Sequence, residues 1–311
     1  MKLLYYLSYA LWYLASLLPM RVHYFFADIL IFPLIFHVLK YRRPLVQKNL
    51  AVCFPERSEE ERTRIERDFY HWFADYLVET IKEMSISKQE MMRRITFEGL
   101  DEAQAEMEAE GKPFAFLYLG HFCNWEWVAS LPYWGKENLK FGQIYHPLHS
   151  PLTDRLFYQM RSRFGAQNIA MKDTLRTIIG WKRENARAMI GFISDQSPKW
   201  EAMHFWTNFL NQETSFFTGA EKIGRKVNAA YYYCDITRPR RGYYHCVVRK
   251  LEISPEDETT EYPVTVAYAR AIERSICAAP HLWLWTHNRW KRTRADWVEF
   301  MKPLKGNRTP Q

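Results

Sequence analysis

The sequence predicts an α/β protein, a mixed central sheet flanked by helices and preceded by an N-terminal membrane helix. Three observations lead there. From residue 100 onward, short apolar runs ending at glycine or polar residues alternate with segments of helical spacing. Leu3 to Met20 carries no charged residue. The chain of 311 residues is 48% hydrophobic and 16% aromatic, enough apolar side chain for one large core.

The elements follow in order. The uncharged stretch from Leu3 to Met20 is nearly long enough to span a bilayer at about 1.5 Å per residue. Arg21, Lys40, Arg42, Arg43 and Lys48 follow it, which by the positive-inside rule places the body of the protein in the cytoplasm. A secretory leader and a buried core helix are the alternatives; against the first, no small-x-small cleavage site closes the apolar stretch before Arg21. Tyr24 to Leu39 is apolar but interrupted by Asp28 and His37, and Pro33 is expected to kink it, so it reads as an interfacial or re-entrant helix. The expected organisation is an anchor over 1–40, an α/β domain over 41–304 and a flexible tail over 305–311. Ser58 with Glu61 three residues on makes a capping box, which starts a helix running to Lys82 with Phe69, Trp72, Phe73 and Tyr76 as a packing stripe.

Leu100–Glu110 is expected to be helical, and Phe114–Leu119 is a buried strand ended by Gly120. Thr174–Glu184 is a helix and Ala188–Ser194 a strand, with Asp195 next in sequence. A helix ending at Gly224 leads into a strand over Val227–Cys234, a turn at Arg238–Gly242, and a returning strand over Tyr243–Leu251. Tyr262–Cys277 closes the series as a helix. Sites in such sheets lie beyond the carboxyl ends of the strands, where both His121 and Asp195 fall.

The formal charge of +8 suits anionic lipid, nucleic acid or an acidic carrier protein alike. The apolar N-terminus and the lack of a basic-aromatic binding motif argue against nucleic acid. Five cysteines without a CxxC pair speak against a disulfide framework, although Cys234 and Cys246 could face each other across the hairpin. His121, Cys123, His146 and His149 match no structural zinc spacing, so no metal is expected. The chain has no G-x-S-x-G elbow, P-loop, G-x-G-x-x-G or H-E-x-x-H.

The segment that carries chemistry is Gly120-His121-Phe122-Cys123-Asn124-Trp125-Glu126. On one continuous helix His121 and Glu126 would diverge by roughly 140°. They can meet if His121 sits in a strand-to-helix loop and Glu126 in the first turn. Glu126 would then fix the imidazole tautomer, leaving the other ring nitrogen free as a general base, with the helix N-terminus adding positive potential. A structural histidine is the plain alternative. Asp195, with Gln196 beside it, could position substrate or the catalytic loop, or cap the next element.

His-Phe-Cys-Asn-Trp-Glu resembles the H-x4-[D/E] block of the glycerolipid acyltransferases, in the form found in the late lipid A and lysophospholipid acyltransferases. Four more segments resemble that family in order: Lys48-Asn-Leu50 with Phe54-Pro55-Glu56; Tyr145-His146-Pro147 through Asp154 to Arg161 and Gly165; Gly191 to Pro198; and Pro280 to Trp290. The resemblance covers nearly the whole chain. It implies a membrane-bound enzyme moving a fatty acyl chain from an acyl thioester, on acyl carrier protein or coenzyme A, to a hydroxyl of a lipid acceptor, with no cofactor. A lipid A precursor is the expected acceptor; a lysophospholipid or an aminolipid is the alternative. His121 and Glu126 are the expected catalytic residues. Arg155, Arg161, Asp195 and Gln196 are expected to bind substrate. Many members carry Arg after the tyrosine of the second block; His146 stands there in this chain, so Arg155 or Arg161 would supply that charge. Trp283, Trp285 and Trp290 read as packing or interfacial anchors, and Arg289 and Lys291 as contacts for anionic headgroups.

Overall fold

Residues 2–306 are described by a computed structural model of the chain; of the expected tail, residues 307–311 lie outside them. The helices are α1 (Lys2–Ser16), α2 (Met20–Val38), α3 (Arg43–Cys53) and α4 (Glu59–Lys82). Then come α5 (Lys88–Arg94), strand β1 (Ile95–Glu98), α6 (Leu100–Ala109) and β2 (Phe114–Leu119). β3 (Leu139–Tyr145), α7 (Pro151–Ser162), β4 (Gln167–Ala170), α8 (Thr174–Arg183) and β5 (Arg187–Ile193) follow. After a hairpin of β6 (Trp206–Phe209) and β7 (Gln212–Ser215) come α9 (Gly219–Val227), β8 (Ala229–Arg240) and β9 (Tyr243–Lys250). α10 (Pro255–Glu258), α11 (Pro263–Ala278) and α12 (Arg294–Gly306) complete the chain.

Seven strands form the central sheet in the order β1-β9-β8-β2-β5-β3-β4. Only the β8–β9 pair is antiparallel, which makes the sheet mixed as expected. β2 is buried along its whole length, as its unbroken apolar run requires for a strand covered on both faces. The short β1, β4 and β6–β7 carry too little apolar pattern to be read beforehand. α9 runs through Gly224 and stops at Asn228, whose left-handed backbone (φ +56°) ends it. Gly224 is needed for space, since a Cβ there would lie 2.5 Å from the Tyr231 hydroxyl. Cys234 and Cys246 are both free; Cys234 faces Val248, and Cys246 faces Ile236.

The capping box at Ser58 forms, and α4 carries a row of buried charged groups along its packed face. Arg43 pairs with Glu66 at 2.7 Å, and Arg238 with Asp75 at 2.5 Å. Lys82 donates to the carbonyls of Ser16 and Leu18 at 3.0 and 3.2 Å, capping the C-terminus of α1.

Within the expected anchor over 1–40, the candidate span is not Leu3–Met20 but the second helix. α1 spans about 22 Å, short of the ~30 Å hydrocarbon layer. It is docked through Lys82 and through Trp12 against Phe157 of α7. The helix long and apolar enough to cross a membrane, among the described residues, is α2. Pro33 does not break it: two π-helical stretches, Ala27–Ile31 and Leu34–Val38, flank the proline and absorb its missing N–H. Ala27, Phe32 and Phe36 turn inward, while Phe25, Phe26, Ile29 and Leu30 remain exposed, as do Leu4, Leu7, Leu11 and Leu14 of α1. So much uncovered apolar side chain on one segment marks an interaction surface.

Candidate active site

β2 and β5 are parallel neighbours, with Leu119 opposite Ile193. His121 and Asp195 each lie two residues past those ends, so register alone brings them together. A Cβ at Gly120 would lie 1.9 Å from the tip of the Ile272 side chain and 3.2 Å from Asp195 Oδ2, so the glycine lets Ile272 and the Asp195 carboxylate pack close against the strand end. Tyr268 donates to the Leu119 carbonyl at 2.9 Å and satisfies the strand end.

Asp195 holds His121 twice. The ring Nδ1 is 2.7 Å from Oδ1, and the backbone N–H donates to Oδ2 at 2.9 Å. The indole N–H of Trp283 also donates to Oδ2, at 2.8 Å. Burial pushes the Asp195 carboxyl up, but the His121 charge and these three hydrogen bonds outweigh it and bring it down to about 2. The carboxylate therefore accepts from Nδ1–H, which leaves Nε2 with its lone pair. Gln196 lies 3.1 Å from Nε2 and, on that tautomer, donates its amide N–H to it.

This is the main correction to the sequence reading. Glu126 is not the hydrogen-bond partner of His121. It accepts two bonds from Arg161, Nε to Oε2 at 2.7 Å and NH2 to Oε1 at 2.6 Å, a bidentate buried pair. Burial raises its carboxyl, and Arg161, with a smaller contribution from His121, more than reverses this. No long helix starts at Glu126 either: residues 127–133 form a 3-10 segment containing Pro132, so the expected helix-terminal potential is weak. Glu83, the C-cap residue of α4, completes this cluster. It is fully buried, and neither carboxyl oxygen has a hydrogen-bond partner among the described residues. Burial and then Glu126 push it well above the carboxylate range, against the opposing charges of Arg161 and Arg163.

The rest of the motif is scaffolding. Asn124 donates to Glu79 at 2.7 Å and accepts from the Trp127 N–H at 3.1 Å. Glu79 is buried and also accepts from Tyr24 and Tyr244, each at 2.7 Å. Cys123 has φ +53°, a conformation costing of order 1 kcal/mol outside glycine. Its N–H is held by the Leu282 carbonyl at 2.9 Å, while the His121 carbonyl accepts from the Leu284 N–H at 3.0 Å.

The C-terminal strap thus clamps the motif loop. Its His287 takes a second role, because Nε2 accepts from the Ser197 N–H at 3.2 Å and braces the loop carrying Asp195 and Gln196. Burial lowers its pKa to about 4, and His121, Arg289 and Lys291 add to this against Asp195, so it is neutral and able to accept.

Of the residues expected to bind substrate, Asp195, Gln196 and Arg161 converge here. Arg155 does not; its guanidinium lies 4.2 Å from the Tyr5 ring centre and joins α7 to α1. Arg289 is buried, donating to the Ser215 carbonyl at 2.5 Å over the Phe216 ring, so it meets no headgroup. Trp283 and His287 escaped the sequence reading because an indole in an aromatic run and a lone histidine look like packing. The usable signal was their place beside the Asp195 loop, which is a tertiary fact.

The chain matches the family described as bacterial lipid A biosynthesis acyltransferase over residues 1–292. It is 26% identical over 261 residues to the lipid A biosynthesis palmitoleoyltransferase of Escherichia coli (strain K12), covering 81% of this chain and 80% of that protein. It is 24% identical over 263 residues to the lauroyltransferase of the same strain, covering 84% and 82%. A lipid A biosynthesis acyltransferase of Haemophilus influenzae is 25% identical over 254 residues, covering 80% and 76%.

Proposed function

The chain belongs to the bacterial lipid A biosynthesis acyltransferase family and is an acyltransferase; from that premise we propose that it moves a fatty acyl chain from a thioester to a hydroxyl of a lipid A precursor, with His121 as general base and Asp195 as its orienting partner. The observation that carries the reading is the 2.7 Å bond between His121 Nδ1 and Asp195, which leaves Nε2 free to take a proton. Nε2 takes the proton of the acceptor hydroxyl as its oxygen forms a bond to the thioester carbonyl carbon. The C–S bond then breaks, and the thiolate recovers the proton from the imidazolium. Atoms and charge balance with no covalent acyl-enzyme. The Glu126–Arg161 pair acts as a fixed dipole beside the imidazole, and Gln196 must yield its place on Nε2 to the acceptor.

The donor is acyl carrier protein or coenzyme A; the basic charge of the chain favours the acidic carrier. We place the enzyme on the inner membrane with its catalytic domain on the cytoplasmic side; the exposed apolar faces of α1 and α2 support membrane association, and the basic residues from Arg21 to Lys48 support the cytoplasmic side. Lipid mass spectrometry of a strain lacking the gene tests the acceptor: a lipid A species one acyl chain short is expected. Loss confined to a lysophospholipid product or an aminolipid would replace it. In vitro, acyl transfer that survives His121→Ala would refute the mechanism.

A further inference from the structure

Arg42 and Arg292 are each tied to a segment of the catalytic loop, Lys291 is next to Arg292 in sequence, and among the described residues none of the three has a carboxylate partner. Arg42 donates to the Thr286 carbonyl at 2.9 Å, one residue from His287. Arg292 donates to the Pro198 carbonyl at 2.9 Å, two residues from Gln196, and lies 5.1 Å from the Trp200 ring centre. Lys291 is exposed and makes no hydrogen bond among the described residues. The nearby acids are engaged elsewhere: Asp296 accepts from the N–H and hydroxyl of Thr293, and Glu213 from Arg294.

We propose that Arg42, Lys291 and Arg292 form a binding site for a phosphate group carried by one of the two substrates. The site rests on the acyl-transfer reading above. Each arginine spends one N–H on a backbone carbonyl, which fixes the guanidinium while leaving donors over. Arg42 is presented from a left-handed backbone (φ +54°), which has to be stabilised by its surroundings. Burial, then the charges of Arg292 and Arg42, lower the Lys291 ammonium, as expected of cations crowded without a counterion. Three cations, two with planar forks, suit the geometry and double charge of a phosphate better than a single carboxylate. Their ties to the Thr286–His287 and Gln196–Pro198 segments put a bound phosphate at the rim of the catalytic loop. It could come from the headgroup of the acceptor or from the prosthetic arm of the thioester donor.

The test uses the full chain in detergent, with Lys291→Gln and Lys291→Glu, since Lys291 is exposed and makes no hydrogen bond among the described residues. Arg294→Gln is the control. Binding of inorganic phosphate, followed by 31P NMR, should weaken about tenfold in Lys291→Gln and further in Lys291→Glu, and be unchanged in the control. KM for the phosphate-bearing substrate should rise about tenfold, with a smaller effect on kcat. If an enzymatically dephosphorylated acceptor makes wild type and Lys291→Gln alike, the phosphate is the acceptor's; if only the donor KM moves, it is the donor's. Unchanged phosphate binding and unchanged KM values in both Lys291 variants, with native melting temperatures, would overturn the site. Phosphate binding lost in Lys291→Glu while the wild type transfers no acyl group would keep the site and sink the function proposed above.

Discussion

Two carboxylates flank His121 and are put to opposite uses. Asp195 touches the ring through a single oxygen, and its remaining capacity is taken by the backbone of His121 and the indole of Trp283. Its interaction with the imidazole changes strength when the ring gains a proton, which is what catalysis needs. Glu126 is locked to Arg161 by a fork that leaves little to respond with. It sets a constant field and fixes geometry. Proximity to a histidine therefore does not make an acid its partner; the partner is the acid whose hydrogen bond the ring nitrogen completes.

That contrast can be broken or sharpened by substitution. The largest effect is expected for His121→Ala, which should lower kcat by about 10²–10⁴-fold with the melting temperature nearly intact, in acyl-transfer assays paired with calorimetry. Asp195→Asn should approach the same loss by presenting the wrong tautomer. If Glu126→Gln costs more kcat than Asp195→Asn, the assignment of partners is inverted. Glu126→Ala should act mainly on stability, destabilising by about 3 kcal/mol because Arg161 is left without its partner, measured by denaturant unfolding.

Acid titration should separate the two carboxylates further. The Asp195 carboxyl is depressed in the folded chain to about 2. Its contribution is present above the ordinary aspartate range and is lost as pH falls toward 2, amounting to about 2 kcal/mol. In Asp195→Asn that part of the acid-side loss should vanish. Glu83 is expected to act with the opposite sign. Its carboxyl is raised, so stability should decline as pH climbs above the ordinary glutamate range. Glu83→Gln should flatten that decline and leave stability near pH 7 equal or slightly higher. A marked destabilisation would show that Glu83 is charged and paired.

Much of this was legible in the chain, for identifiable reasons. β2 and β5 were readable because buried parallel strands are continuous apolar runs, and α4 because Ser58 and Glu61 announce its start. The ends of those strands put His121 and Asp195 on the same rim. The pairing was misread because Glu126 is near in sequence, whereas Asp195 is 74 residues away and becomes adjacent only through the β2–β5 register. Within the expected anchor segment the candidate span moves from Leu3–Met20 to Met20–Val38, because charge counting cannot see Lys82 closing the end of α1 at Ser16, nor the π-helical turns carrying α2 past Pro33.

By itself, then, the sequence determined the α/β class, the apolar N-terminus and the strand-end position of the histidine. These depend on local periodicity and on residues that stop a strand or start a helix, so they are written in neighbours along the chain. The tertiary structure alone decided which acid orients His121, which arginine neutralises Glu126, and that Trp283 and His287 brace the catalytic loop. Hydrogen bonds are satisfied among groups that meet in space, and strand register, strap and buried helix face together fix which groups those are.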